Sequence, residues 1–271
     1  MPELPEVETI RRGIAPYLEG DCIVNIITRI DKLRWPIPTN LKTQVINSQI
    51  DSITRRAKYL LINLPHGSVI IHLGMSGSLR ILPSSTPPQP HDHFDLVLST
   101  KQCLRLRDPR RFGAVLWQLK PVMSHPLLQN LGPEPLESNF TGSYLMQMAT
   151  KRRLAIKNFI MDSKVVSGVG NIYANESLFQ IGVHPQRSCQ DLTMIQYNKL
   201  VSAIKQILSQ AITQGGTTLR DFSDVDGKPG YFAQSLQVYG RDGLPCIRCN
   251  TLIRKQRFGQ RSSFFCPQCQ Q

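Results

Sequence analysis

The sequence predicts an α+β protein of two domains. An N-terminal β-sandwich follows a single helix, and a C-terminal helical domain ends in a cysteine-rich hairpin. Three observations predict this architecture. Short Val-, Ile- and Leu-rich segments fill the first half of the 271-residue chain, helical periodicity replaces them after residue 143, and two CxxC pairs close the chain. The length favours two domains, although one large β-rich domain also fits.

The first element is a helix that begins near Pro5. Proline suits the first helical turn, and Glu6 and Glu8 lie where the helix dipole favours acidic groups. Apolar residues recur on one face of this helix: Val7, Ile10, Ile14 and Leu18. The helix leaves Pro2 and Glu3 just before its first turn, without a structural role.

Seven segments of the first half are predicted to be short strands separated by turn residues. They are CIVNIITRI, KYLLINL, SVIIHLG, SLRIL, FDLVL, CLRLR and AVLWQL. This density of strands indicates a sandwich or a barrel. The Pro-rich segment 83–92 is expected to be a surface loop, and 131–143 has the Pro, Gly and Ser content of a linker.

Two longer segments of the second half, SYLMQMATKRRLAIKNFIMDS and TMIQYNKLVSAIKQILSQAITQGG, are helical in pattern. The second has an apolar stripe and a C-terminal glycine cap: Tyr197, Val201, Ile204, Leu208, Ala211 and Gly215. Between them, SGVGNIYANESLF predicts a Gly-containing turn and a helix that Asn171 opens as its N-cap. Such a helix start binds anions such as DNA phosphate, although an ordinary helical hairpin also fits.

Four of the seven cysteines form two CxxC pairs, Cys246 with Cys249 and Cys266 with Cys269. This spacing lets two tight turns present four thiolates to one tetrahedral Zn²⁺. The alternative is two disulfides, which a reducing compartment disfavours. A four-sulfur site leaves no open position for water, so the zinc is predicted to be structural.

The charge of the chain predicts a polyanionic partner. Lys and Arg number 32 against 19 Asp and Glu, which leaves +13. Nucleic acid is the first candidate and an anionic membrane the second. No apolar run approaches the ~20 residues of a membrane span, and the acidic N-terminus is not a signal peptide. We therefore expect a soluble, cytoplasmic protein that acts on nucleic acid.

Pro2 carries the most specific chemistry that the residues suggest. Removal of Met1 would leave proline with a free secondary amine. An α-amino group has a pKa near ~8, far below that of lysine, so a larger fraction of it is unprotonated and nucleophilic at neutral pH. Attack on the anomeric carbon of a sugar gives an iminium ion, an electron sink that needs no cofactor. Glu3 is placed to protonate the sugar and to shuttle protons.

Nine segments together, in order and spacing, resemble bacterial formamidopyrimidine-DNA glycosylases. They are MPELPEVETIRRG, RRAKYL, HLGMSGSLR, DPRRFG, LGPEPL, GVGNIYANESLF, GGTTLRDF, YFAQSLQVYGR and the four-cysteine segment. The resemblance implies a monomeric bacterial enzyme of DNA repair, with a helix-two-turn-helix and a zinc finger, that acts on damaged double-stranded DNA near the nucleoid. It implies excision of 8-oxoguanine and formamidopyrimidines, then strand cleavage by β,δ-elimination, without a nucleotide cofactor.

The resemblance also divides the chain into an N-terminal catalytic domain (1–132), a linker (133–143), a helix-two-turn-helix domain (144–235) and a zinc finger (236–271). The segment 217–232 would be a mobile flap that closes over the extruded base. From composition alone, 215–234 is a polar, Gly-rich loop of a length that is usually functional or disordered.

Four residues match the catalytic positions of the family. Pro2 would be the Schiff-base nucleophile at C1′, and Glu3 its proton donor and acceptor. Lys58 would assist proton transfer and contact a phosphate during β-elimination, and Arg261 would hold the phosphate beside the lesion and assist δ-elimination. Without the resemblance, Lys58 is more simply an edge-strand lysine and Arg261 a solvated arginine.

Three residues match the family's void-filling trio, since an extruded base leaves a gap in the duplex. Met75 and Phe112 would fill the gap, and Arg110 would hydrogen-bond the orphaned cytosine. From sequence alone, Met75 and Phe112 are better explained as core residues, because both flank predicted strands.

The resemblance further makes His91, Arg152 and Asn171 contacts to DNA. A second metal site at His91, Asp92 and His93 is the alternative, although it lacks a third strong ligand nearby. The chain departs from the family at Asn250, where glycine is common, and at the Ser-Ser that follows Arg261. Asparagine tolerates a left-handed turn.

Two rival functions remain open at this point. One is an endonuclease VIII-like glycosylase for oxidised pyrimidines, against which Leu4, Met75, Arg110 and Phe112 argue. The other is a zinc-ribbon DNA-binding protein without catalysis.

Overall fold

A computed structural model describes residues 2–217 and 232–271 of the chain. These residues divide into two units. Unit 1 contains 2–129 and 214–217, and unit 2 contains 130–213 and 232–271. The segment 217–232, predicted to be a flap, lies outside the described residues except for Thr217 and Phe232. None of the described helices has both the length and the apolar character that a membrane span requires.

Helix α1 spans Leu4–Leu18 and opens unit 1. Pro5 lies in the first turn, as the sequence predicts, whereas Glu3, for which the sequence predicted no structural role, is the N-cap of α1, with extended backbone. The predicted apolar face is buried to 1% exposure or less: Val7, Ile10, Ile14 and Leu18. Burial of this face fixes the helix against the sheets, because each such side chain contributes about 1.5–3 kcal/mol.

Besides α1, the described part of unit 1 has eight strands and a short helix, α2 (Leu41–Val45). The strands are β1 (Ile23–Thr28), β2 (Ser52–Arg56), β3 (Tyr59–Leu64), β4 (Gly67–His72), β5 (Ser78–Pro83), β6 (Asp92–Leu98), β7 (Gln102–Arg107) and β8 (Ala114–Leu119). They form two antiparallel four-stranded sheets, in the orders β1-β6-β7-β5 and β2-β3-β4-β8.

The two sheets pack on one shared core. Leu96 and Leu104 of the first sheet belong to the same buried cluster as Ile62 and Ile71 of the second, and Ile10 of α1 joins it. The architecture is therefore a sandwich, which resolves the choice between sandwich and barrel. All seven predicted strands are present.

The sequence pattern missed β2 and α2. Strand β2 lies at the edge of its sheet and buries only Ile53 fully, so it has no apolar run to detect. Helix α2 has five residues, which is too short for helical periodicity to appear.

Unit 2 contains four α-helices and a β-hairpin among its described residues. They are α3 (Gly142–Ala149), α4 (Ile156–Met161), α5 (Asn171–Gln180), α6 (Met194–Thr213), β9 (Arg254–Phe258) and β10 (Arg261–Phe265). The predicted stripe of α6 is buried, and Gly215 follows the helix at φ +75°, as expected of a left-handed cap position.

The helical pattern over 143–163 is interrupted in the structure. Residues 150–155 separate α3 from α4, because Lys151 takes φ +62° and Ala155 forms a β-bridge with Ser188. The interruption orients α4 independently of α3, which matters because α4 carries Lys157.

Candidate active site

The N-terminal Pro2–Glu3 pair is held in place by Glu6. Pro2 is buried and Glu3 is 2% exposed. Glu3 and Glu6 form a capping box, in which the Glu3 N–H donates to Glu6 Oε2 at 2.8 Å. The proposed nucleophile and proton carrier therefore sit at the positive end of α1, on backbone that is fixed by hydrogen bonds.

Glu6 has a second role that the sequence did not reveal. Its Oε1 accepts the backbone N–H and the hydroxyl of Thr217, both at 2.9 Å. Gly216 has φ +79°, and a Cβ there would lie 3.1 Å from Glu6 Oε1, so glycine lets the backbone approach this closely. Glu6 thus joins the α1 cap to the residue that precedes 218–231.

Lys58 lies in the two-residue turn between β2 and β3, and its side chain is half-buried. The preceding Ala57 takes φ +53°, which closes the hairpin. Lys58 is therefore a turn residue rather than a strand residue, at the end of the β2–β3 hairpin.

His72 ends strand β4 and is a site residue that the sequence analysis did not name. Its ring lies 4.8 Å from that of Tyr59, and its Nδ1 accepts the Gly74 N–H at 3.1 Å. Burial, with the nearby positive charges of Lys58 and Arg34, lowers the pKa of His72 to about 4. The imidazole is neutral at physiological pH, and because Nδ1 accepts, its proton is on Nε2.

Met75 and Phe112 are exposed, with 36% and 43% of their surface accessible, so the core explanation for both is wrong. Met75 follows β4, whereas Arg110 and Phe112 follow β7. The Arg110 guanidinium stacks over the Phe112 ring at 4.9 Å. Two neighbouring loops of unit 1 thus present an apolar thioether, an aromatic ring and a cation.

The His91–His93 segment is occupied by structural contacts. His93 is buried and donates from Nε2 to the Asp108 carbonyl at 3.1 Å. Asp92 accepts the Gln89 N–H at 2.8 Å. Within the part of the chain that the structure describes, only the four zinc-finger cysteines form a cluster of metal-ligating side chains. His91 has φ +75° and an exposed side chain.

Asn171 is the first residue of α5 and not its N-cap, which corrects the sequence prediction. Gly170 occupies the cap position. The Asn171 side chain is taken by other partners: Oδ1 accepts from Lys157 Nζ at 2.9 Å, and Nδ2 donates to the Ser262 carbonyl at 3.0 Å. Its amide therefore links the start of α5 to β10.

Lys157 is fully buried, which is rare for lysine. Besides Asn171, its ammonium donates to the Ser262 carbonyl at 3.0 Å and to Ser263 Oγ at 2.5 Å. Arg261, which opens β10, is exposed and directly precedes these two serines. Arg152 is also exposed, in the segment between α3 and α4.

The four zinc-finger cysteines have their sulfur atoms within 4.8 Å of one another, and none is in a disulfide. Separations such as 3.4 Å for Cys249–Cys266 and 3.9 Å for Cys246–Cys269 suit a tetrahedral Zn²⁺, whose sulfur ligands lie about 3.8 Å apart. The N–H of Arg248 points to Cys246 Sγ at 3.4 Å, as in a zinc knuckle. One structural Zn²⁺ fits this donor set.

Glu176 fixes the segment between 218–231 and the zinc finger. Its carboxylate accepts the backbone N–H groups of Gln237, Val238 and Tyr239 at 2.8–3.0 Å. Burial raises the pKa of Glu176, and the three donors oppose that effect. Asn250 takes φ +60°, so the substitution for glycine is tolerated as predicted.

The N-terminal sandwich, the helical unit and the four-cysteine cluster correspond to the three domains of a class of DNA glycosylase. Three family models cover the chain: the formamidopyrimidine-DNA glycosylase N-terminal domain over residues 1–115, the H2TH domain of the same glycosylases over 131–223, and the zinc finger found in FPG and IleRS over 243–271. The chain belongs to the formamidopyrimidine-DNA glycosylase family.

Individual relatives agree with this assignment. The chain is 56% identical to the formamidopyrimidine-DNA glycosylase of Photobacterium profundum and 54% identical to that of Escherichia coli, over 100% of each sequence. The crystal structure of the MutM (Fpg) protein of Thermus thermophilus matches with a TM-score of 0.90 at 35% identity, over 99% of this chain and 98% of that one. A mutant Lactococcus lactis FPG in complex with a Fapy-dG-containing DNA matches with a TM-score of 0.93 at 32% identity, over 100% of both chains.

Proposed function

We propose that this protein is a bifunctional glycosylase and abasic-site lyase of bacterial base-excision repair, which removes 8-oxoguanine and formamidopyrimidines from double-stranded DNA at the nucleoid. The observation that carries the proposal is the Pro2–Glu3 pair at the N-cap of α1, on backbone that Glu6 holds. The Lactococcus lactis relative, crystallised with a Fapy-dG-containing DNA and with an abasic-site DNA, supports the substrate class.

Catalysis starts at the amine of Pro2 once Met1 has been removed. The nitrogen lone pair attacks C1′ of the damaged nucleotide, the C1′–N bond to the base breaks, and its electron pair leaves with the base, which takes up a proton. The attacking nitrogen releases its N–H proton and Glu3 protonates the sugar ring oxygen, so the C1′–O bond breaks, the ring opens and the nitrogen becomes an iminium ion. The positive end of α1 disfavours a protonated amine and so favours the nucleophilic form.

The iminium ion then acts as the electron sink for strand cleavage. Loss of a C2′ proton expels the 3′ phosphate, and a second elimination expels the 5′ phosphate. Lys58 contacts the phosphate that leaves first, and Arg261 the one beside the lesion. His72 is neutral with its proton on Nε2, which suits it to donate to a phosphate without adding charge.

Duplex binding uses exposed cations and one helix start. Arg152, Arg261 and the N–H groups at the start of α5 contact phosphates, which position the protein without reading sequence. In unit 1, Met75 and Phe112 fill the gap that the extruded base leaves, and Arg110 pairs with the orphaned cytosine. His91 adds a further contact.

The substrate class is tested with two duplexes, one with 8-oxoguanine opposite cytosine and one with thymine glycol opposite adenine. We expect cleavage of the first to be faster, since Arg110 is suited to an orphaned cytosine. Faster cleavage of the second would favour an endonuclease VIII-like activity, and cleavage of neither would favour the non-catalytic DNA-binding alternative.

A short extension before Pro2 separates catalysis from binding. We expect it to abolish excision and to leave lesion affinity within a few-fold, because it blocks the amine without altering unit 2. Excision by the extended protein would contradict a role for the terminal amine.

A further inference from the structure

The loops that carry Met75, Arg110 and Phe112 are joined by a buried hydrogen-bond cluster. Asp108 is completely buried and Ser76 is 9% exposed. The Ser76 hydroxyl donates to Asp108 Oδ1 at 2.8 Å and accepts the Arg110 N–H at 3.2 Å. The cluster thus connects the residue after Met75 with the backbone of Arg110.

The second carboxylate oxygen holds the far end of the loop after β7. Asp108 Oδ2 accepts the Gly113 N–H at 2.7 Å, directly after Phe112. Both sides of the 110–112 segment are therefore attached to one buried carboxylate, through Ser76 at one end and directly at the other. The backbone between them is strained, since Arg111 takes φ +56°.

The backbone of Asp108 extends the cluster to the segment that contains His91. Its N–H donates to the His91 carbonyl at 3.0 Å, and its own carbonyl accepts from His93 Nε2 at 3.1 Å. One buried residue therefore contacts the segment of Met75, the segment of His91 and the segment 110–112, three of the segments of unit 1 to which DNA contacts were assigned.

Close packing leaves these two loops no space to slide past each other. Gly74 has φ +61°, and a Cβ there would lie 2.3 Å from the Phe112 carbonyl carbon. A Cβ on Gly113 would lie 2.7 Å from the His72 carbonyl oxygen. The loops are in backbone contact, so a local distortion of one loop, such as the loss of a hydrogen bond within the cluster would cause, is transmitted to the other.

We propose that Ser76 and Asp108 are positioning residues for base extrusion, which hold Met75, Arg110 and Phe112 at a fixed spacing so that they enter the duplex as one body. The inference rests on the proposed function. Unstacking a base is costly, and a wedge that is rigid beforehand loses less entropy on insertion than three independent side chains. The orientation of Arg110, through its bonded N–H, also sets the preference for an orphaned cytosine.

The test compares Ser76→Ala with the matched control Ser68→Ala. Ser68 is 1% exposed and its hydroxyl also makes a side-chain hydrogen bond, to Asn63 Oδ1 at 2.8 Å within the β3–β4 pair. We expect Ser76→Ala to slow single-turnover excision of 8-oxoguanine opposite cytosine about tenfold, the scale of one hydrogen bond to a charged group. We expect the ratio of rates opposite cytosine and opposite adenine to fall as well.

Strand cleavage at an abasic site in single-stranded DNA is the internal reference, because no base is extruded and no gap is filled. We expect both variants to retain the wild-type rate there. Asp108→Asn replaces one of the two accepting oxygens with an NH2 group, which would face the Ser76 hydroxyl or the Gly113 N–H. It should lower the duplex rate and the cytosine-to-adenine ratio further. Fluorescence of 2-aminopurine next to the lesion should report slower extrusion in both Ser76→Ala and Asp108→Asn.

Each contrary outcome has one meaning. If Ser76→Ala matches Ser68→Ala in duplex rate and in opposite-base ratio, the positioning role is wrong and the proposed function stands. If Ser76→Ala loses duplex and single-stranded activity in equal proportion, Ser76 supports the fold and not the wedge. If the wild-type protein fails to excise 8-oxoguanine, the proposed function fails and the wedge role with it.

Discussion

Glu6 and Thr217 are 211 residues apart in sequence, yet the Glu6 carboxylate accepts both the backbone N–H and the hydroxyl of Thr217 at 2.9 Å. The other oxygen of Glu6 accepts the Glu3 N–H at 2.8 Å. A single buried carboxylate therefore connects the proposed catalytic pair with the start of the segment that we expect to close over the base.

Glu6→Gln should slow excision about tenfold. The amide keeps the side-chain volume, but its NH2 group would face either the Glu3 N–H or the donors of Thr217, so at least one hydrogen bond is lost. The matched control is Glu19→Gln, at the other end of α1, whose carboxylate accepts one backbone N–H from Ile53 at 2.7 Å. Single-turnover excision kinetics measure the effect. Equal rates for the two variants would show that the contact with Thr217 has no part in excision.

Lys157→Met should weaken binding to a lesion-containing duplex about tenfold or more. The methionine removes the buried ammonium that holds Asn171, Ser262 and Ser263, and leaves their polar atoms without that partner. The control is Lys205→Met, since Lys205 donates only at the surface, to the Glu137 carbonyl at 2.8 Å. Fluorescence anisotropy measures affinity; an unchanged value would contradict the idea that Lys157 supports the DNA-contact surface.

Zinc removal should disorder the hairpin and abolish tight DNA binding. In Cys249→Ser, the loss of one of four thiolates weakens a site whose metal contributes directly to local folding. Zinc content by atomic absorption and duplex affinity should fall together. The control is Cys22→Ser, a half-buried cysteine of unit 1 outside the cluster. Normal affinity in a zinc-free variant would contradict a role of the metal in holding the hairpin for DNA binding.

Acid should destabilise the protein through His72. Its pKa is lowered to about 4 in the folded state, chiefly by burial, whereas an unfolded histidine titrates near ~6.5. The unfolded state therefore binds more protons below that value, and stability falls as the pH drops from ~6.5 towards 4. In His72→Gln, the free energy of unfolding, measured with urea, should fall less steeply over this pH range. His66→Gln, which replaces an exposed ring, should leave the fall unchanged. An identical slope for wild type and His72→Gln would contradict the pKa shift.

Salt should weaken DNA binding steeply. Log affinity falls as log salt concentration rises, and each phosphate contact that is lost makes this slope about one unit less steep. Arg152→Gln and Arg261→Gln are each expected to reduce the slope by that amount. Glu137→Gln removes no cation that could contact a phosphate, so it should leave the slope unchanged. A flat response of the wild-type protein would contradict electrostatic binding.

The sequence predicted those features whose signal is local. The apolar face of α1 at Val7 and Ile10, the stripe of α6, the seven apolar strands and the CxxC pairs all depend on short spacings, and each is present. The left-handed turn at Asn250 is equally local, and it too is confirmed.

Features that depend on distant residues were not predictable in this way. Asn171 has the properties of an N-cap, but Lys157 and Ser262 engage its side chain from 14 and 91 residues away. The exposure of Met75 and Phe112 follows from the loops that meet at Asp108, and neither loop contains a sign of the other. The neighbours of Glu6 in sequence indicate only an acidic residue that suits the helix dipole, whereas its contact with Thr217 is made only in the folded chain.

Borohydride trapping shows whether the terminal nitrogen of Pro2 bonds to deoxyribose, because reduction makes the Schiff base permanent. The mature protein is mixed with a duplex containing 8-oxoguanine opposite cytosine, reduced, digested and mapped by mass spectrometry. We expect one covalent adduct, on the N-terminal peptide that begins at Pro2 with Met1 removed. An adduct on a lysine, or full excision by protein that keeps Met1, would contradict it.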